Sequence, residues 1–252
     1  PLFQAEDGRR DDLEGLVGSE MCIRDRFQGF PKDFFNFFEE LKKNNNRDWF
    51  NANKGRYRET VVEPMCEFIS AIGPRLHSIS PYYTADPRPH GGSMFRIYRD
   101  TRFSKDKTPY KTHAACHFRH QAGRDAHAPG FYVHIATDGI SVGAGIWRPP
   151  SKQLGQIREF IADNPSAWEK LVRSSPVKRM GGIQGDSLKR PPRGYPADSK
   201  HIEDLKRKSF YLMTGLDAES ASSPEFVSQS ARIFRSSARL NHFINDALGL
   251  PF

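Results

Sequence analysis

GFYVHIATDGISVGAGIW, residues 130–147, alternates apolar and polar side chains through two short runs joined by Asp138-Gly139. Successive side chains of a strand point to opposite faces, so this pattern reads as two half-buried strands, and an Asp-Gly pair between apolar runs marks a hairpin. Phe131, Val133 and Ile135 share one face, opposite Tyr132 and His134. Beyond the turn, Ile140, Val142, Ala144 and Ile146 oppose Ser141, Gly143, Gly145 and Trp147. THAACHFRH, residues 112–120, sorts the same way, with Ala114, Cys116 and Phe118 against His113, Ala115, His117 and Arg119. The pattern predicts an antiparallel meander with its apolar face against helices. The second face carries His113, His117, Tyr132 and His134. Gly143 and Gly145 weaken their strand, so a ligand, loop or backbone comes close there, or the pair marks a bulge or tight packing.

Helical patterns flank this sheet. Phe34, Phe37, Phe38 and Leu41 recur at helical spacing behind Pro31, and Asn44 to Asn46 stop the run. Asp48 is placed to cap the next segment. Tyr57, Val61, Met65, Phe68, Ile69, Ile72 and Leu76 form a further stripe that Pro64 splits into two helices or bends. Phe95 and Ile97 read as the start of a strand. After the meander, Ser151 is placed to cap a helix and Pro165 opens another. A loop spans residues 174–200, SFYLMTGL (209–216) reads as a strand, and an amphipathic helix runs from Phe226 to Leu248. The expectation is one α+β domain over residues 27–252, an antiparallel meander packed on one face by N-terminal and C-terminal helices.

FRIYRDTRFSKDKTPYKTH, residues 95–113, concentrates positive charge among aromatics. Arg96, Arg99, Arg102, Lys105, Lys107 and Lys111 are interleaved with Phe95, Tyr98, Phe103 and Tyr110, against only Asp100 and Asp106. Anchored cations of this kind suit an anion-binding surface, with arginine forks matching phosphate or carboxylate. A second basic run at Lys189 and Arg190, followed by Arg193-Gly194-Tyr195, is placed to close over the same site. Ligand-binding candidates are therefore Arg96, Arg99, Arg102, Lys105, Lys107, Tyr110, Lys111, His117, Tyr132, His134, Lys189 and Arg190. Asp100 or His113 could serve as acid/base if a reaction occurs. No metal site is expected, since His113 and His117 lie four strand residues apart, about 13 Å. The odd cysteines Cys22, Cys66 and Cys116 lack zinc-ligand spacing.

PKDFFNFFEELKKNNNRDWF (31–50), GFYVHI (130–135), SVGAGIWRP (141–149) and LKRPPRGY (188–195) together resemble the bacterial and fungal family designated domain of unknown function 2461. The resemblance covers roughly Phe27 to the C-terminus and implies no particular reaction or cofactor.

The 252 residues carry 38 Lys and Arg against 30 Asp and Glu. Mean hydropathy is −0.67, and no run approaches the ~20 apolar residues of a membrane helix. Residues 1–26 lack periodicity and end in GSEMCIRDR, which resembles sequencing-adapter read-through; they are expected to be a non-native or disordered extension. Removing their four basic and seven acidic residues leaves 34 against 23, a net charge of +11. Cysteine usage points to a reducing cytoplasm. Two partner classes fit the charge, an anionic small molecule and a nucleic acid. The sequence thus leaves open an anion-binding protein, an enzyme on a phosphorylated substrate, and a scaffold whose charges pair internally.

Overall fold

A computed structural model describes residues 27–123 and 127–252. The extension proposed for residues 1–26 lies outside them. Helix α1 (Lys32–Lys43) buries the whole Phe34, Phe37, Phe38, Leu41 stripe. Asp33 in its first turn and Lys42 and Lys43 in its last complement the helix dipole. Asn44 ends it, and α2 (Arg47–Ala52) begins immediately. The cap of α2 is Asn46 rather than Asp48: its side-chain oxygen accepts from the Trp49 N–H at 2.9 Å. Asp48 falls one position too late, already inside the helix.

A single helical run then follows, as α3 (Lys54–Tyr57), a π turn (Arg58–Val62) and α4 (Glu63–His77). Pro64 offers no N–H to the carbonyl four residues earlier, and the widened turn sits over that gap. Arg56 ties α3 back to α1, donating to Asp33 and Glu40, each at 2.7 Å.

Strands β1 (His113–Arg119), β2 (Gly130–Ala136), β3 (Gly139–Ile146) and β4 (Phe210–Leu216) form one antiparallel sheet in sequence order. Gly139, at φ +150°, starts β3 directly after the Thr137-Asp138 turn. No strand forms at Phe95 and Ile97. Residues 93–95 pair with β1, the His117 N–H reaching Ser93 O and the Phe95 N–H reaching Ala115 O. The chain then changes partner, and Tyr98 bridges Tyr110 across its own loop. Three residues of pairing followed by a change of partner make bridges, not a strand.

Between β3 and β4 lie α5 (Ser151–Asp163), α6 (Pro165–Val172), α7 (Ser175–Arg179) and α8 (Ile202–Leu205). Ser151 is the first residue of α5 and makes no capping bond. After β4 come α9 (Ala218–Ala221) and the long α10 (Phe226–Leu248), which ends on Gly249 in the left-handed conformation. Helix α10 lies on the apolar sheet face and joins two cores. Its Phe226, Phe234 and Ala238 pack with α1, α4 and the inward residues of β1–β3. Its Leu240, Phe243 and Ile244 pack with Trp168, Ile157, Ile161, Phe210 and Leu212. The opposite sheet face is left open by the helices. Among the described residues, no helix is long and apolar enough to cross a membrane.

Candidate functional site

The open face of the sheet holds a cavity of about 450 Å³. Its floor follows two rows of cross-strand neighbours. One row runs His117, Tyr132, Gly143, Met213; the next runs Arg119, Gly130, Gly145, Tyr211; of these, all but Gly143 and Arg119 line the cavity. Glycines at three of these positions keep the middle of the face low. At Gly143 and Gly145 a Cβ would collide with the Leu212 and Phe210 carbonyls of β4, so close strand packing demands them. At Gly130 it would collide with the His117 imidazole, which leans over that residue. Gly130 is also held from behind, its carbonyl accepting from Asn241 of α10 at 3.1 Å.

Phe95, Lys111, His113 and Trp147 complete the wall. The His117 ring lies nearly parallel to Phe95, at 6° and 6.2 Å between centroids. The His113 and His134 rings meet at 4.2 Å. Burial pushes the His113 pKa down to about 4, with His134 and Lys111 adding to the effect, and lowers that of His134 too. Both imidazoles are neutral at pH 7. Burial likewise raises the Tyr132 hydroxyl to about 12, so it stays protonated. In the sheet His117 sits opposite Tyr132, and it is His113 that meets His134. Among the described residues no three His, Cys, Asp or Glu side chains gather to hold a metal ion.

Lys111 is the member of the basic run that lines the cavity. Its Nζ donates to Arg96 O at 2.8 Å and lies 5.4 Å from the Phe95 ring centroid. Burial lowers its pKa, with Arg96 adding a smaller repulsion. No described carboxylate forms an ion pair with it. The arginines of the run turn elsewhere. Arg99 pairs with Asp106 at 2.5 Å and also donates to Thr108; Arg102 pairs with Asp100 at 2.7 Å. These contacts, and the backbone N–H groups of Thr108 and Arg102, hold Asp106 and Asp100 at about 2. Asp100 therefore sits in an exposed loop outside the cavity, whereas His113 is in its wall. Arg96, Lys105 and Lys107 are exposed on the same loop. Phe103 at its tip is 94% exposed.

The base of that loop is clamped. Tyr110 stacks on Phe50 at 4.2 Å, and Asn45 both donates to Tyr110 O (2.9 Å) and accepts from Tyr110 N (3.1 Å). Tyr110 is thus a buried support rather than part of the lining. The three asparagines divide the work: Asn44 closes α1, Asn45 clamps the loop and Asn46 opens α2.

The second basic run does not close over this cavity. Gln184 bridges Tyr211 and Ser187 bridges Arg207, which puts Lys189 and Arg190 beyond the β4 edge, whereas the first run leaves the β1 edge. The intervening strands β2 and β3 separate them. His134 lines a neighbouring polar depression with Asp138, Ser141 and Asp217. Trp147, Tyr211 and Met213 were missing from the candidates drawn from sequence, although sorting SFYLMTGL by alternation would have placed Tyr211 and Met213 on the open face.

No curated protein matches this sequence. The family model described as conserved hypothetical protein (DUF2461) matches residues 33–243, and the chain belongs to that family.

Proposed function

We propose that this protein binds a small organic anion, phosphorylated or carboxylated, in the cavity on the open sheet face. Lys111 pairs with the anionic group, and the clamped basic loop holds that lysine in place. The observation that carries this reading is Lys111 itself: a half-buried lysine beside apolar walls, its ammonium bonded to one carbonyl and, among the described residues, paired with no acid. A charge removed from water costs free energy unless it is paired. A ligand anion supplies the missing partner. A cavity of this volume falls in the range typical of small-molecule sites, ~300–1,000 Å³.

Thermal unfolding of the wild type and Lys111→Met against carboxylates, phosphate monoesters and their neutral esters tests this. At a hundred times its Kd a ligand stabilises by about 2.7 kcal/mol. For a chain of this length that is roughly 5–10 °C. Anions should raise the wild-type Tm and leave Lys111→Met nearly unmoved. Equal responses from both proteins, or no response to any anion, overturn the reading.

A second reading, contact with nucleic acid, is favoured by Phe103, an exposed ring among Arg102, Lys105 and Lys107 that could stack on a base. Its mark is affinity that falls steeply with salt and with Phe103→Ser. An enzymatic reading has His113 in the cavity wall to support it. Asp100 supports it poorly, being outside the cavity and ionised far below neutral pH.

A further inference from the structure

We infer that the anion bound at Lys111 is a carboxylate carried on a flat aromatic body. This deepens the proposed function and rests on Lys111 being the anion-binding group.

The charge argument comes first. A phosphate monoester carries up to two charges and three strong acceptor oxygens, and sites that hold one gather several charge-assisted donors. Here, among the described residues, Lys111 is the one ammonium in the lining, with one of its three N–H bonds already given to Arg96 O. Two remain, enough for the two oxygens of a carboxylate. The forks suited to phosphate are turned away, Arg99 to Asp106 and Arg102 to Asp100. The imidazoles of His113 and His117 belong to the wall, and His113 is neutral at pH 7. Lys111 is therefore the one Lys or Arg side chain among the described lining residues.

The shape argument is independent. Phe95, Tyr132, Trp147 and Tyr211 supply four aromatic rings, and the His117 imidazole covers Gly130. A cavity lined by rings favours an aromatic occupant, because aromatic groups stack offset or edge-on against such rings. A flat body fills it without the loss of rotamer freedom that a flexible chain suffers.

Calorimetric titration of 2-naphthoate, 2-naphthyl phosphate, 2-naphthamide and octanoate into wild type and Lys111→Met separates these points. We expect 2-naphthoate to bind at least tenfold tighter than the phosphate, the amide and octanoate. Lys111→Met should erase its advantage over the amide while the amide binds both proteins alike. Tighter binding of 2-naphthyl phosphate overturns the carboxylate assignment and leaves the anion site standing. Octanoate binding as tightly as 2-naphthoate overturns the flat body. Equal wild-type affinity for naphthoate and naphthamide removes the anion site itself. Failure of all four to bind overturns the inference outright, and the broader anion panel then decides the proposed function separately.

Discussion

His113 and His134 face each other across β1 and β2 at 4.2 Å between ring centroids, and neither is neutralised by an adjoining carboxylate. Asp138 acts on both only as a minor influence against the burial that lowers them. A histidine held neutral in the folded state contributes stability that is complete above its unfolded pKa of about 6.5. As pH falls towards the folded value of about 4, the unfolded chain takes up protons that the folded one refuses, and stability declines. Tm should therefore fall between pH 7 and pH 5, and His113→Gln should flatten that slope. Parallel Tm profiles for the two proteins would show that the pair does not titrate this way.

Lys111→Met should separate binding from stability. The methionine fills a similar volume and removes the charge of a half-buried lysine that has no counter-ion among the described residues, so loss of the bond to Arg96 O is offset. Tm without ligand should stay level or rise by a degree or two, while anion-induced stabilisation disappears. A drop of more than about 4 °C, roughly 1–2 kcal/mol at this chain length, would make Lys111 a structural residue instead.

Gly130→Ala should be costly for a single methyl group. The new Cβ meets the His117 ring on one side, and the backbone cannot retreat because Asn241 holds the Gly130 carbonyl from the other. Overpacking of this kind costs about 1–3 kcal/mol, measurable by urea unfolding. The His117 ring should also be displaced into the cavity, weakening 2-naphthoate binding. Wild-type stability in this variant would mean that the ring moves freely.

Asn45→Ala removes two hydrogen bonds to Tyr110 and should destabilise by about 1–3 kcal/mol, since the Tyr110 backbone loses its partners in a half-buried place. Arg102→Ala is the contrasting case. Its pair with Asp100 is exposed, and such pairs contribute about 0–1 kcal/mol, so stability and probe affinity should stay near wild type. Denaturant titration of both variants checks the ranking; a larger loss for Arg102→Ala would reverse it.

Much of the fold was legible because it rests on local periodicity. Alternation alone assigned Phe131, Val133 and Ile135 to the helix-covered face and put Tyr132 and His134 opposite, as the sheet has them. Where a residue's partner is remote, the sequence carried less. Asn45 reads as one asparagine in a helix stop, and nothing local announces that Tyr110, 65 positions on, is what it holds. The basic run was legible as ordered charge, but the directions of its side chains were not. Arg99 and Arg102 turn to acids seven and two residues away, and only Lys111, at the point where the loop rejoins β1, reaches the cavity wall. The separation of the two basic runs depends on sheet order, which alternation does not encode.

The long closing helix has a consequence for how the molecule is made. Phe226 of α10 packs against Phe30 at 6.0 Å and Phe68 at 5.2 Å, and the Phe30 N–H bonds to Ala221 O just ahead of that helix. The first and last described elements thus share one core, and the helix that covers the sheet leaves the ribosome after everything it covers. Until then the nascent chain carries Phe118 and Phe131 without the Phe234 ring that packs on both, the sort of surface that chaperones hold and aggregates recruit. Folding waits for its longest-range contacts, so a stalled or shortened translation product should be an aggregation-prone species rather than a smaller working protein.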